Sequence, residues 1–149
     1  MRKYFRFHLD AWALLLFAMV MIPNVIWFAV PAPNDVLRND SVTTVTDNIA
    51  SVCQVLFIAA MCLLQNEKAH KIRWSPLIVA TLACLIVYYI GWVLYYHGHA
   101  DPLVILLLTI PPCFAFLLYF IDRKNWIALV PAAIFAICHL IFGVVNYIC

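Results

Sequence analysis

Six polar side chains stand inside otherwise apolar stretches of this chain: Asn24, Gln54, Tyr88, Thr109, His139 and Asn146. As residue types they suit recognition better than bond breaking. The Asn and Gln amides offer donors and acceptors side by side, His139 a donor or acceptor that switches with protonation, and Tyr88 a face on which a ring can stack. His139, Gly143 and Asn146 are spaced three or four apart, so on a helix they share one face. These six are the candidate ligand-binding residues.

A second grouping is His97-Gly98-His99-Ala100-Asp101. Two imidazoles and a carboxylate would suit a divalent cation if Asp35 or Asp40 joined them. The spacing matches no specific metal signature, and a polar turn closed by Asp101 is the simpler reading. The metal question stays open, with His97, His99 and Asp101 as the candidates.

What is missing narrows the chemistry. The cysteines, Cys53, Cys62, Cys84, Cys113, Cys138 and Cys149, form no C-x-x-C pair, and most lie in apolar runs, where cysteine packs as a small hydrophobe. Only Cys53 and Cys149 sit near enough to one edge for a disulfide. No Asp or Glu falls well inside an apolar run, which argues against carboxylate-driven antiport and against Mg²⁺-dependent head-group transfer. No serine stands beside a plausible base. An enzyme here would have to rest on His139, helped by Asn24 and tyrosines, and the reading leans away from catalysis. No cofactor is expected.

The elements that must position these residues are five apolar runs. Of 149 residues, 67% are hydrophobic and 11% charged, and mean hydropathy is +1.00. A soluble domain carries about 25% charged residues, so the solvent for most of this chain is a bilayer. The expected helices cover about 11–30, 48–65, 76–96, 102–121 and 126–148, in a single membrane domain over 1–149. Asp10, Thr46 or Asp47, Ser75 before Pro76, Asp101 before Pro102, and Asn125 are the expected helix starts. The first run is too long for a signal-peptide core and reads as a retained helix. Strands are not expected in the spans, which show no two-residue alternation.

Charge supplies the orientation. Arg2, Lys3 and Arg6 precede the first run, Lys68, Lys71 and Arg73 sit between the second and third, and Arg123 and Lys124 between the fourth and fifth. Only Arg38 lies in a connection of the other parity. That asymmetry predicts a cytoplasmic N-terminus and an outside C-terminus. The net charge of +2 is too small to suggest nucleic acid.

Counting about 1.5 Å per residue places the polar residues by depth. Asn24 and His139 each fall about 21 Å from the cytoplasmic edge, and Gln54, Tyr88 and Thr109 fall about 18–20 Å from it. Pro23, Pro111 and Pro112 lie at nearly the same level, where each removes a helical hydrogen bond. Asp35 and Arg38, three apart in the longest connection, are placed to pair if that stretch turns helically. Tyr88 and Tyr89 sit deeper than an interfacial aromatic belt requires, so one of them is expected to face the bundle interior.

The expectation is an all-α five-helix bundle, multi-pass in a cell membrane and, from its small size, in the bacterial cytoplasmic membrane. Its leading function is to bind a small polar or amphipathic molecule in an outward-facing pocket, with transport as the extension of binding. Three readings compete. The polar layer is structural glue; the chain is an accessory or assembly subunit working through a membrane-protein partner or a homo-oligomer; or it is an intramembrane enzyme using His139.

Overall fold

In a computed structural model, which describes residues 4–69 and 71–149, the expected helices form as α1 (Ala11–Ala29), α2 (Thr44–Leu63), α3 (Pro76–Tyr96), α4 (Pro102–Asp122) and α5 (Trp126–Tyr147). All five are long and apolar enough to cross a membrane. Arg2 and Lys3 lie outside the described residues. Four of the five helices, all but α2, begin where a side chain answers their first unpaired N–H groups. Asp10 accepts from Trp12 and Ala13, Ser75 from Ile78, Asp101 from Val104, and Asn125 from Ala128.

α2 starts earlier than expected, at Thr44 rather than near 48. The hydroxyls of Ser41 and Thr43 both donate to the Asp47 carboxylate and hold this polar first turn in helical form. At its other end α2 stops at Leu63. The next three residues form β2 (Leu64–Asn66), antiparallel to β1 (Phe5–Phe7) in a small ribbon that the sequence did not announce. The ribbon lies outside the spans. It ties the start of α1 to the end of α2, with Asp10 N–H donating to Cys62 O at 2.9 Å.

The same end gathers the α2–α3 and α4–α5 connections, and it is the basic end. Asn125 donates to Ala60 O, which also accepts the Leu64 N–H, and to Leu64 O, and so ties the start of α5 to the C-terminal end of α2. At the opposite end, Asp35 and Leu37 in the α1–α2 connection bond to Tyr95 of α3 and Tyr147 of α5. The helices therefore alternate up and down.

The five helices close a ring in the order α1, α3, α4, α5, α2. α3 packs heavily on α4, α4 on α5, and α5 on α2, while α1 completes the ring by lighter contacts with α2 and α3. α4 is the central member: 61% of its span is buried, against 22% for α1 and for α5. Two close approaches set the packing. A Cβ on Gly91 would lie 2.9 Å from Leu107 Cβ, and one on Gly143 would lie 2.9 Å from Thr109 Oγ1. The outward faces are apolar, with Val25, Phe28, Val55 and Ile137 among the exposed side chains, as a lipid-facing surface requires.

Candidate functional site

The ring encloses a cavity of about 290 Å³ to which all five helices contribute. Asn24, Gln54, Tyr88, Thr109 and His139 all line it. Five of the six candidate residues, one from each helix, thus share one space. Its apolar wall is mainly aromatic, with Phe17, Trp27, Phe57, Phe116, Phe135 and Phe142. Toward the basic end, Phe57 packs on Phe116 and Phe120 at ring-centroid distances of 5.2 and 6.0 Å and forms the floor.

Two of the polar residues are bonded to each other. Asn24 Nδ2 donates to Tyr88 Oη at 2.7 Å and to Val20 O at 2.8 Å, and Tyr88 Oη donates to Val20 O at 3.2 Å. A neighbouring contact has its cause in Pro23, one residue upstream of Asn24. Pro23 has no N–H, so the carbonyl of Met19 loses its helical donor. Tyr89 Oη donates to Met19 O at 2.6 Å and replaces it. The adjacent tyrosines of α3 thus dock on consecutive carbonyls of α1, Tyr88 from inside the bundle, where it is 2% exposed. Thr109 Oγ1 donates back to Ile105 O at 2.7 Å.

The other polar groups are different. Gln54 and His139 make no hydrogen bond among the described residues, and the indole N–H of Trp92, which is 6% exposed, finds no acceptor. The His139 ring is stacked between Phe135 and Phe142, with centroids at 5.1 and 6.0 Å and near-parallel planes. That stack fixes the ring plane and leaves both ring nitrogens unengaged. Asn24, Gln54 and His139 do not bond one another, so the expected glue is confined to the Asn24–Tyr88 pair.

The roof is built on Asp35, outside the spans. Its carboxylate accepts from Trp27 Nε1 at 2.7 Å, Tyr95 Oη at 2.9 Å, Arg38 Nε at 2.7 Å and Ala32 N at 3.2 Å. Burial alone would raise its pKa, but these donors outweigh it and hold the carboxyl below its ordinary value. The expected Asp35–Arg38 pair is present, and the guanidinium also lies 4.8 Å from the Trp27 ring centre. A short 3₁₀ turn, Val36–Arg38, carries Leu37 over the cavity.

Asn146 is not in the cavity lining. Its amide donates to Thr43 Oγ1 and Phe142 O and accepts from Val42 N, so it joins the end of α5 to the start of α2. His97, Gly98 and His99 are a helix stop. Gly98 takes φ 89°, and the N–H groups of Gly98 and His99 return to Tyr95 O and Leu94 O. Asp101 starts α4, and no group of three metal-capable side chains forms among the described residues. The six cysteines are all free.

Sequence reading missed Trp92 and the Asp35 hub. Trp92 reads as one more interfacial aromatic, and the Asp35–Tyr95 contact joins residues that no local pattern connects. No family model, curated protein or solved structure matches the chain.

Proposed function

We propose that the protein is a multi-pass protein of the cytoplasmic membrane, with its basic end inside, that binds a small amphipathic molecule in the five-helix cavity. The observation that carries this reading is the set formed by Gln54, Trp92 and His139. All three line one space; Gln54 and His139 make no hydrogen bond among the described residues, and the Trp92 indole N–H, beside Tyr88, is buried without a well-formed acceptor. A buried polar group without a partner costs about 1–3 kcal/mol. The Trp92 N–H is the buried one, and Gln54 and His139 are half-buried against the cavity; such groups around one space are best accounted for by an occupant that bonds to them. Water would satisfy the polar atoms and leave the aromatic wall wet, so an occupant with a polar edge and a flat apolar body fits better. At about 290 Å³ the space is at the small end of ligand pockets. Gln54 would supply paired donor and acceptor bonds, Trp92 a donor, His139 either, and Tyr88 and the phenylalanines the stacking faces.

Binding is better supported than transport. Passage would require the Phe57–Phe116–Phe120 floor and the Asp35 roof to open in turn. Solvent extraction of the purified protein, followed by mass spectrometry, tests the binding reading. A small molecule is expected in the wild-type extract and reduced about tenfold or more in a Gln54→Leu, His139→Leu double variant, the loss of two hydrogen bonds in a dry site. The double variant should keep or raise its melting temperature, because neither group bonds within the protein. Equal recovery from both proteins, or a clear fall in melting temperature, would return these residues to a structural role.

A further inference from the structure

A second recess lies on the lipid side of the bundle, in the seam where α1 and α3 meet lightly. Its section near the basic end, about 400 Å³, is bounded by Trp12, Leu16 and Met19 of α1 and by Ile78, Leu82 and Leu85 of α3. It continues toward the far end as a shallower trough that shares Met19, Leu82 and Leu85. Nearly all of this surface is carbon. The polar atoms along it are answered internally: Thr81 donates to Leu77 O, Tyr119 to Asp10, and Tyr89 to Met19 O across the seam.

One polar group at the mouth is different. Arg73 borders the groove and is exposed, and its guanidinium makes no ion pair or side-chain hydrogen bond among the described residues. Trp12 and Trp74, both exposed, flank it, as tryptophans do at a membrane interface. From Ile78 to Leu85 the deeper section follows α3 for about 10 Å, and the shallower trough carries it to Leu94, about 24 Å in all, within a hydrocarbon core about 30 Å deep. An apolar trough that runs inward from the interface, with one unpaired cation between two interfacial indoles at its mouth, is complementary to one kind of molecule.

We infer that the α1–α3 groove is a binding site for an anionic phospholipid of the inner leaflet. One acyl chain lies along Leu16, Leu82 and Leu85, and the head-group phosphate pairs with Arg73. A second copy of the chain is a poorer occupant. Symmetric pairing about the membrane normal would set two Arg73 side chains at one level, like charge against like. The inference requires membrane insertion and is independent of what fills the central cavity.

The test is native mass spectrometry of the full chain released from bilayers of equimolar phosphatidylglycerol and phosphatidylethanolamine. Phosphatidylglycerol should be retained in preference, and Arg73→Gln should reduce that preference about fivefold, the worth of one basic residue near an anionic surface. Leu82→Trp, which fills the trough and leaves Arg73 in place, should lower retention of both lipids. Arg6→Gln, a cation at the same end outside the groove, should leave the preference unchanged. No preference, or an equal loss from Arg6→Gln and Arg73→Gln, overturns the site in favour of diffuse surface charge. A dimer that Leu82→Trp dissociates would assign the groove to a second copy and overturn it too.

Discussion

At the scale of single residues, the polar atoms in the spans divide by whether water can replace a lost partner. Tyr89 and Tyr96 both lie on α3, and each donates its hydroxyl to a carbonyl of the first helix segment. The acceptors are Met19 O at 2.6 Å and Val30 O at 2.7 Å. Met19 O is stripped of its helical donor by Pro23 and lies within the span. Val30 closes the helix at the exposed far end. Tyr89→Phe should therefore cost about 1–2 kcal/mol, since a carbonyl is left unpaired in an apolar setting. Tyr96→Phe should cost about 0.5 kcal/mol or less, because water takes the place of the hydroxyl. Melting temperatures of the two variants in the same detergent check this, and equal shifts would mean that Met19 O finds another donor. The same logic separates Asn24, whose amide is part of this docking, from Gln54 and His139, whose groups face the cavity without partners.

At the scale of elements, helix starts were legible because they are local. Asp10, Ser75-Pro76, Asp101-Pro102 and Asn125 announce themselves within a few residues, and the structure uses all four. The start of α2 was not, since it depends on Ser41 and Thr43 acting together on Asp47 and on Asn146 reaching across from α5. The β1–β2 ribbon was illegible for a related reason: two three-residue segments about sixty positions apart carry no periodicity of their own. Depth counting found the common level of five polar residues, because rise per residue is fixed by helix geometry. It could not find which faces turn inward, and the three-and-four spacing that set Asn146 on the His139 face put it with residues that it does not join. Rotation is set by close packing, and the α4–α5 seam shows how tightly. A Cβ at position 143 would sit 2.9 Å from Thr109 Oγ1 and 3.2 Å from Thr109 Cγ2. Gly143→Ala should cost about 1–3 kcal/mol through overpacking. Adding Thr109→Ala should recover most of that loss, giving a coupling well outside additivity in a double-mutant cycle. Additive losses would show that the two helices are free to move apart.

At the scale of the whole molecule, composition and charge parity defined the class of protein, and the ring order of helices was beyond them. Five apolar runs of similar hydropathy give no reason for α4 to be central or for α1 to join the ring by its lightest contacts. Within that arrangement Gly91 and Gly143 let α3 and α5 approach α4 closely. The arrangement gives the molecule two spaces with different solvents, an aromatic cavity inside the ring and an apolar groove beside α1. Which side of a membrane each space serves depends on orientation. The charge pattern predicts that the basic end faces the cytoplasm, because moving Lys and Arg across a bilayer is unfavourable and Arg38, paired with Asp35, is the one Lys or Arg of the sequence in a connection at the other end. Cys149 is exposed at the far end and is free. A membrane-impermeant maleimide added to intact cells should therefore label it, and Cys149→Ser should abolish that labelling. In the Cys149→Ser background, Glu67→Cys in the exposed turn after β2 should be labelled only once the cells are opened. The reverse pattern would turn the cavity toward the cytoplasm and put the Arg73 groove in the outer leaflet. Labelling of both sites from outside would indicate that the chain inserts in two orientations, which so uneven a distribution of charge argues against.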